Sequence, residues 1–316
     1  MTEPRFLQIQ QSDLRAEHAA TCAALLAPQA SIAPKYFYDR LGSMLFEAIT
    51  ALPEYYPTRT EAGIFELDGA AMARAVGTVG TMFDLGAGNC AKAAGLFPLI
   101  EPARYVAVDV SVEFVREALR RLHREHPRIE MVALGMDFST ALALPAGLSR
   151  GRPLFFYPGS SIGNFTPDEA LAFLRRVRSH ADDGALLVGV DLVKAKGRLE
   201  AAYDDPLGVT AAFNLNMLRH LNAVIGSDFE VSQWRHMALY DERASRIEMH
   251  LQARSSTVVS WPSGGRSFEA GERILTEYSY KYTVDGFESL LGAAGFSQTR
   301  IWRDERSDFA VFLGLP

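Results

Sequence analysis

Cysteine is scarce in this 316-residue chain: Cys22 and Cys90 are the two present, too few for a disulfide framework and in no C-x-x-C or Cys/His cluster. Both read as reduced thiols of a cytoplasmic protein. The seven histidines are scattered, and "LHREHPR" ends a charged helical stretch without H-E-x-x-H spacing, so no metal site is expected. No run approaches the roughly eighteen apolar residues of a membrane span. The N-terminal "MTEPRFLQIQQSDLRAEHAA" mixes acids, bases and glutamines where a secretory signal would need an apolar stretch. Excess positive charge is missing as well. A formal net charge of -6 and a pI near 5.7 argue against a nucleic-acid or membrane partner. What remains is an ordinary globular composition, 48% apolar and 22% charged, long enough for about two domains. A small-molecule partner and a monomeric state are the expectations.

From about residue 80 to 194, short apolar runs alternate with longer amphipathic stretches, the pattern of βα units on a parallel sheet. The predicted strands are "TMFDL" (81–85), "RYVAVDV" (104–110), "IEMVAL" (129–134), "PLFFY" (153–157) and "ALLVGVDLV" (185–193). "VEFVREALRRLH" and "PDEALAFLRRVRSH" carry apolar residues at helical spacing. The second should start at a capping box, with Thr166 as N-cap, Pro167 at the first helical position and Glu169 at the third, and stop at Gly184.

After residue 195 the character changes. "RLEAAYDDPLGVTAAFNLNMLRHLNAVIG" reads as helix, turn, helix. Period-two segments follow, "SRIEMHLQARSS" and "RILTEYSYKY", joined by the turn-rich "WPSGGRS". In the first, Ile247, Met249 and Leu251 share one face while Glu248, His250 and Gln252 share a wet one. The tail reads as a helix ending at Gly295 and two short strands around "RDERSD". Residues 61–194 and 286–316 are thus expected to form an α/β domain closed by an antiparallel hairpin, and 1–60 with 195–285 a second domain.

"FDLGAGNCA" places Gly86 and Gly88 after the first strand and before a helix, where glycine makes a tight turn and exposes backbone amides to a ligand. Asp109, at the end of the next strand, can accept from both hydroxyls of a ribose. Glycines and an acid in this arrangement also fit a nicotinamide dinucleotide. Other features favour S-adenosylmethionine. Asp84 precedes the first glycine, where an acid suits a cationic ligand. Asp137 ends the third strand, placed to accept from an adenine amino group, and Phe138 beside it can stack. The closing hairpin belongs to class I methyltransferases, whose Rossmann-like sheet carries it.

"RILTEYSYKY" raises a separate question. In a regular strand Leu275, Glu277, Ser279 and Lys281 share one face and Tyr278, Tyr280 and Tyr282 the other. From the residues alone Glu277 reads as a solvated strand residue pairing with Lys281, and an acid and a hydroxyl facing a ligand together are the alternative.

With those residues on the page, the chain resembles the histidine Nα-methyltransferase family of ergothioneine biosynthesis. The similarity runs from Pro34 to the end through "FYDRLGSMLFEAIT", "LPEYYPTRTE", "DLGAGNCAK", "YVAVDVS", "YPGSSIGNF", "DLVKAKGRLEAAYDDPLGVTAAFN", "RIEMHL" and "TEYSYKY". It implies a methyltransferase core with a separate substrate-recognition domain. Tyr38, Gly86, Gly88, Lys92, Asp109, Asp137 and Phe138 would surround S-adenosylmethionine. Asn164 and Tyr203 would hold the amino-acid head, and Tyr55, Met249, Glu277 and Ser279 would line the side-chain pocket, with Tyr56 an alternative to Tyr55. Tyr38 and Asn164 are the candidates closest to the chemistry. Asn164 also reads simply as a residue ahead of the Thr166 cap. The glycine turn departs from the family in carrying Asn89 and Cys90 where small hydroxyl residues are usual.

Overall fold

Strands that are apolar on both faces need cover on both, and the first half of the chain meets that need with helices. A computed structural model describes residues 3–9, 14–110 and 112–316, and divides them into two units. The first comprises Met1–Gln11, Arg59–Leu192 and Tyr282–Pro316; the second comprises Ser12–Thr58 and Val193–Lys281. Among the described residues no helix is long and apolar enough to cross a membrane, and no cluster of His, Cys, Asp or Glu could hold a metal.

The strands of the first unit are β1 (Arg5–Gln8), β2 (Thr81–Leu85), β3 (Arg104–Asp109), β4 (Glu130–Gly135), β5 (Pro153–Tyr157) and β6 (Ala185–Asp191). In the tail, β12 (Gln298–Arg303) and β13 (Phe309–Leu315) complete it. They form one sheet in the order β1-β4-β3-β2-β5-β6-β13-β12. All pairs through β6 are parallel, and β13 runs antiparallel to both of its neighbours. Period two along β2 sends Met82 to one core and Phe83 to the other. Helices α3 (Tyr56–Val76), α4 (Ala91–Ile100) and α5 (Val112–Glu125) contribute to the Met82 side. Helices α6 (Pro167–Ala181) and α9 (Val284–Ala294) contribute to the Phe83 side.

Most predicted strands are present with ends moved by a residue or two, because a strand ends where its ladder partner does. The second ends at Asp109, the third shifts to Glu130–Gly135 and the fifth stops at Asp191. The capping box at Thr166 and Glu169 forms in both directions. Gly184 is not the stop expected of it. The helix ends at Ala181 with Asp182 in the left-handed region, φ 49°, and Gly184 lies against Pro153, whose carbonyl would be 2.1 Å from an added Cβ. The N-terminal residues differ as well. β1 pairs with β4 in the first unit, so residues 1–60 do not all lie with the insertion.

The second unit carries α1 (Leu14–Leu26), α2 (Arg40–Thr50), α7 (Lys196–Tyr203) and α8 (Val209–Ile225). Its main sheet is antiparallel, ordered β11-β8-β7, from β7 (Trp234–Asp241), β8 (Arg246–Ala253) and β11 (Arg273–Tyr280). Between β8 and β11 the connection predicted from "WPSGGRS" is itself a hairpin of β9 (Thr257–Trp261) and β10 (Gly264–Phe268). The expected wet face of β8 is closed instead. His250 and Gln252 are buried, and Arg246 joins Glu248, which also meets His250 at 3.0 Å, while Arg235 donates to Gln252. Polar side chains cover that face by pairing with one another.

Candidate active site

The carboxyl ends of β2, β3 and β4 carry most of the residues expected at the methyl donor. In open α/β sheets this edge binds ligands where the strand order reverses, here between β2 and β5. Gly86 and Gly88 both have positive φ, 73° and 52°, so the turn needs residues without a Cβ. The Gly88 N–H donates to Asp109 Oδ2 at 3.1 Å, which ties the turn to the end of β3. Phe138 comes within 3.6 Å of where a Gly86 Cβ would stand, so its ring lies close to bare backbone. Asp137, half-buried, accepts from the backbone N–H of Ser139 at 3.0 Å and from its hydroxyl. Asn89 does locally what a hydroxyl residue would do at the start of α4: its Oδ1 accepts from the Ala91 N–H at 3.1 Å. Cys90 holds the left-handed N-cap position at φ 60° and is buried; burial pushes its thiol up to about 12. These residues fit a nucleoside with an amino-acid tail: a half-buried acid, a ring, and a glycine cradle that a Cβ would fill.

Asp84 does not face a ligand as its place before the glycine suggests. Strand alternation turns it inward with Met82, where Tyr105 donates to Oδ2 at 2.7 Å. Burial raises its carboxyl to about 7, against the lowering effects of Tyr105 and Lys92. Lys92 sits in the first turn of α4 and donates to Glu61 at 2.6 Å. Asn164 is exposed at the end of a 3₁₀ turn, Ser161–Asn164, two residues before the α6 cap.

In the second unit the remaining candidates gather. Tyr38 packs edge-on to Phe46 (centroids 5.8 Å), Phe46 to Tyr55 (6.2 Å) and Tyr55 to Tyr203 (6.2 Å). Tyr56 is fully buried and accepts from Lys194 at 2.6 Å. Of the two tyrosines, Tyr55 therefore stands with the other candidates. Tyr203 Oη and Ser279 Oγ are 2.8 Å apart, and the Lys281 ammonium donates to both, at 2.9 and 2.8 Å. Lys281 is 3% exposed, so it is no solvated partner for Glu277.

Glu277 shares the inner face for a reason that simple alternation misses. The β11 ladder pairs Ile274 with Leu251, then Glu277 with Met249 and Ser279 with Ile247; the register shifts between Leu275 and Glu277. The extra residue, Thr276, forms a bulge and donates its hydroxyl to the Met249 carbonyl at 3.0 Å. Consequently Glu277 and Ser279 lie on the face of Ile247, Met249 and Leu251, whereas Leu275, expected beside them, pairs with His250 on the other. Burial pushes the half-buried Glu277 carboxyl up to about 7, against the lowering field of Lys281. Sequence reasoning assigns no site role to Phe46, Phe213, Lys281 or Glu61. Phe213 stacks on Phe37 at 4.5 Å and meets Tyr38 at 5.9 Å, which buttresses the ring cluster.

Known proteins resemble this chain over most of its length. The chain is 39% identical over 300 residues to a protein of Mycolicibacterium smegmatis named histidine N-alpha-methyltransferase, covering 93% of this chain and 92% of that one. It is 40% identical over 291 residues to the protein of that name in Mycobacterium tuberculosis, covering 90% and 89%. The ergothioneine biosynthesis protein 1 of Neurospora crassa matches at 32% over 279 residues, covering 84% of this chain and 31% of that much longer one. A family model described as histidine-specific methyltransferase, SAM-dependent, matches residues 17–315. With an open α/β sheet closed off by an antiparallel hairpin and matches over most of its length, the chain belongs to the histidine-specific, S-adenosylmethionine-dependent methyltransferase family.

Proposed function

We propose that this protein transfers methyl groups from S-adenosylmethionine to the α-amino nitrogen of L-histidine, three in succession, giving hercynine on the way to ergothioneine. The observation that carries the reading is Glu277 on the inner face of β11, its carboxyl raised to about 7 beside the Ser279–Tyr203–Lys281 triangle. A neutral imidazole offers one N–H and one lone pair. Glu277 accepts the N–H, a hydroxyl of the triangle serves the lone pair directly or through water, and Met249 and Tyr55 supply apolar cover. A hydrocarbon side chain would bring the acid no N–H in exchange for the water it displaces, which costs several kcal/mol and gives specificity.

In this reading the second unit is the substrate-recognition domain and the first holds the donor through Gly86, Gly88, Lys92, Asp109, Asp137 and Phe138, with Tyr38 beside the reacting group. Bound S-adenosylmethionine supplies a methyl group already activated on a sulfonium. The chain's own task is to hold a neutral amine lone pair in line, and positioning can supply much of the rate. A free α-ammonium has a pKa of about 8, so modest proton removal suffices and no dedicated base is assigned. Asn164 and Tyr203 hold the amino-acid head. As methyl groups replace hydrogens the amine loses its donors, so Asn164 matters most in the early steps, while Tyr38 and Tyr55 offer ring faces to the growing cation.

Incubation of the purified protein with labelled donor and a panel of amino acids tests this. Methylation of histidine alone is expected. Turnover of another amino acid would keep the chemistry and change the substrate, and tight donor binding without turnover of any would reject the enzyme.

A further inference from the structure

Glu61, near the start of α3, is 1% exposed and is used by none of the roles above. Both of its oxygens are engaged. Oε2 accepts from the Lys92 ammonium at 2.6 Å, and Oε1 accepts from the Gly159 backbone N–H at 2.7 Å. The fold clears space for it: a Cβ on Gly189 of β6 would stand 2.0 Å from Glu61 Oε1. Gly159, at φ 78°, brings bare backbone to the same ammonium, since a Cβ there would lie 3.0 Å from Lys92 Nζ. Lys92 keeps 34% of its side chain exposed although its partner is sealed in. The group stands at the carboxyl edge between β2 and β5, where the strand order reverses and the glycine turn opens.

We propose that Glu61 is a positioning residue of the methyl-donor site, whose carboxylate holds the Lys92 ammonium and the Gly159 amide in the places where they meet the donor's amino-acid tail. The proposal rests on the reading of Lys92 as a donor contact. Two donors converge on one side chain, so both of its oxygens must accept. An ammonium has three hydrogens and no acceptor. One points at Glu61, which orients the others away from it, toward a carboxylate such as the donor carries. Glutamine has only one accepting oxygen. In Glu61→Gln it must turn its NH₂ toward either the ammonium or the Gly159 N–H, and the exposed, flexible Lys92 is the partner that moves.

The test is a double-mutant cycle read by calorimetric binding of S-adenosylhomocysteine to the full chain without histidine, using wild type, Glu61→Gln, Lys92→Met and the double variant. Lys92→Met and Glu61→Gln should each weaken binding about tenfold, and the double variant should be no weaker than Lys92→Met by more than about twofold, because the introduced amide then faces an apolar neighbour. In turnover, Glu61→Gln should raise the donor KM while kcat and the histidine KM stay within about twofold. Gly189→Ala keeps the acid but displaces it, and should reproduce the donor defect should Glu61→Gln hinder folding. Equal loss from Glu61→Gln in the wild-type and Lys92→Met backgrounds would show a merely structural acid and overturn the proposal, as would wild-type affinity in Glu61→Gln. Unchanged affinity in Lys92→Met would instead overturn the reading of Lys92 as a donor contact, and the proposal with it.

Discussion

Asp84 in the first unit and Glu277 in the second are acids pushed up by burial to about the same value, 7, each with a lysine field opposing the shift. Their surroundings differ. Asp84 lies in the sheet's own core, 2% exposed, with a tyrosine hydroxyl committed to it. Glu277 is half-buried, opposite Met249 in its ladder and next to a triangle of hydroxyls and ammonium. A raised pKa marks both equally, so it cannot alone mark a site. On the proposed reading, the neighbours separate Asp84, a structural acid, from Glu277, the acid assigned to the substrate ring.

The strongest way to break this contrast is to remove each acid in turn. Glu277→Ala should lower kcat/KM for histidine about a thousandfold, roughly 4 kcal/mol, with donor affinity unchanged, because a ring N–H would enter a dry pocket without an acceptor. Separate titrations of histidine and of S-adenosylhomocysteine check it, and equal loss of both would take Glu277 out of the ring pocket. Asp109→Ala should do the reverse. Loss of the ribose acceptor at the end of β3 should weaken donor binding about a hundredfold, roughly 3 kcal/mol, and leave histidine binding alone. Unchanged donor affinity would remove Asp109 from the ribose.

Asp84→Asn sharpens the other arm. The amide oxygen of the variant can still accept from Tyr105, so donor affinity should hold within about twofold. The stability profile should change. In the wild type Asp84 titrates near 3.8 unfolded and about 7 folded, so between those values the native state binds more protons. Stability from this group is fully present below the lower value and is lost as pH rises through the upper one. The full shift corresponds to about 4 kcal/mol, and relaxation around a buried acid leaves about 2 kcal/mol as the expected effect. Urea unfolding at pH 5 and pH 8 should therefore show the variant gaining on the wild type by that amount at the higher pH. A constant difference, or collapse of donor binding, would erase the distinction between the two acids.

The two regions also differ in how much of them the sequence discloses. Parallel strands of the first unit are continuous apolar runs, and the Thr166 capping box is written in four consecutive residues, so local pattern suffices. Glu277 faces inward because of one inserted residue, Thr276, and a bulge leaves no mark in a period-two pattern until the partner strand is known. The β9–β10 hairpin escapes the pattern for a related reason, since five-residue antiparallel strands with polar faces resemble loops. Glu61 is hidden in "TRTEAGIFELDG", where an acid reads as a solvated helix face. The one available signal is Gly189 inside the strand "ALLVGVD", because a glycine there marks close approach by another group.

Asn164 is where the sequence leaves two meanings open, a contact for the substrate amine or a residue ahead of the α6 cap, and the smallest predicted effect separates them. The cap is self-contained: Thr166 Oγ1 accepts from the Glu169 N–H, and Glu169 Oε2 accepts from the Thr166 N–H at 2.8 Å. The turn before it is closed by its own bond, Phe165 N–H to the Ile162 carbonyl at 3.3 Å. Thr166→Ala should therefore cost about 1 kcal/mol of stability, the usual worth of such a cap, and leave the histidine KM and kcat unchanged. Asn164→Ala should do the opposite, slowing the first methyl transfer more than the third because only the early substrates have amine hydrogens to offer, with the melting temperature unmoved. A fall in melting temperature for Asn164→Ala without a change in the ratio of mono- to trimethylated product would make it part of the helix start after all.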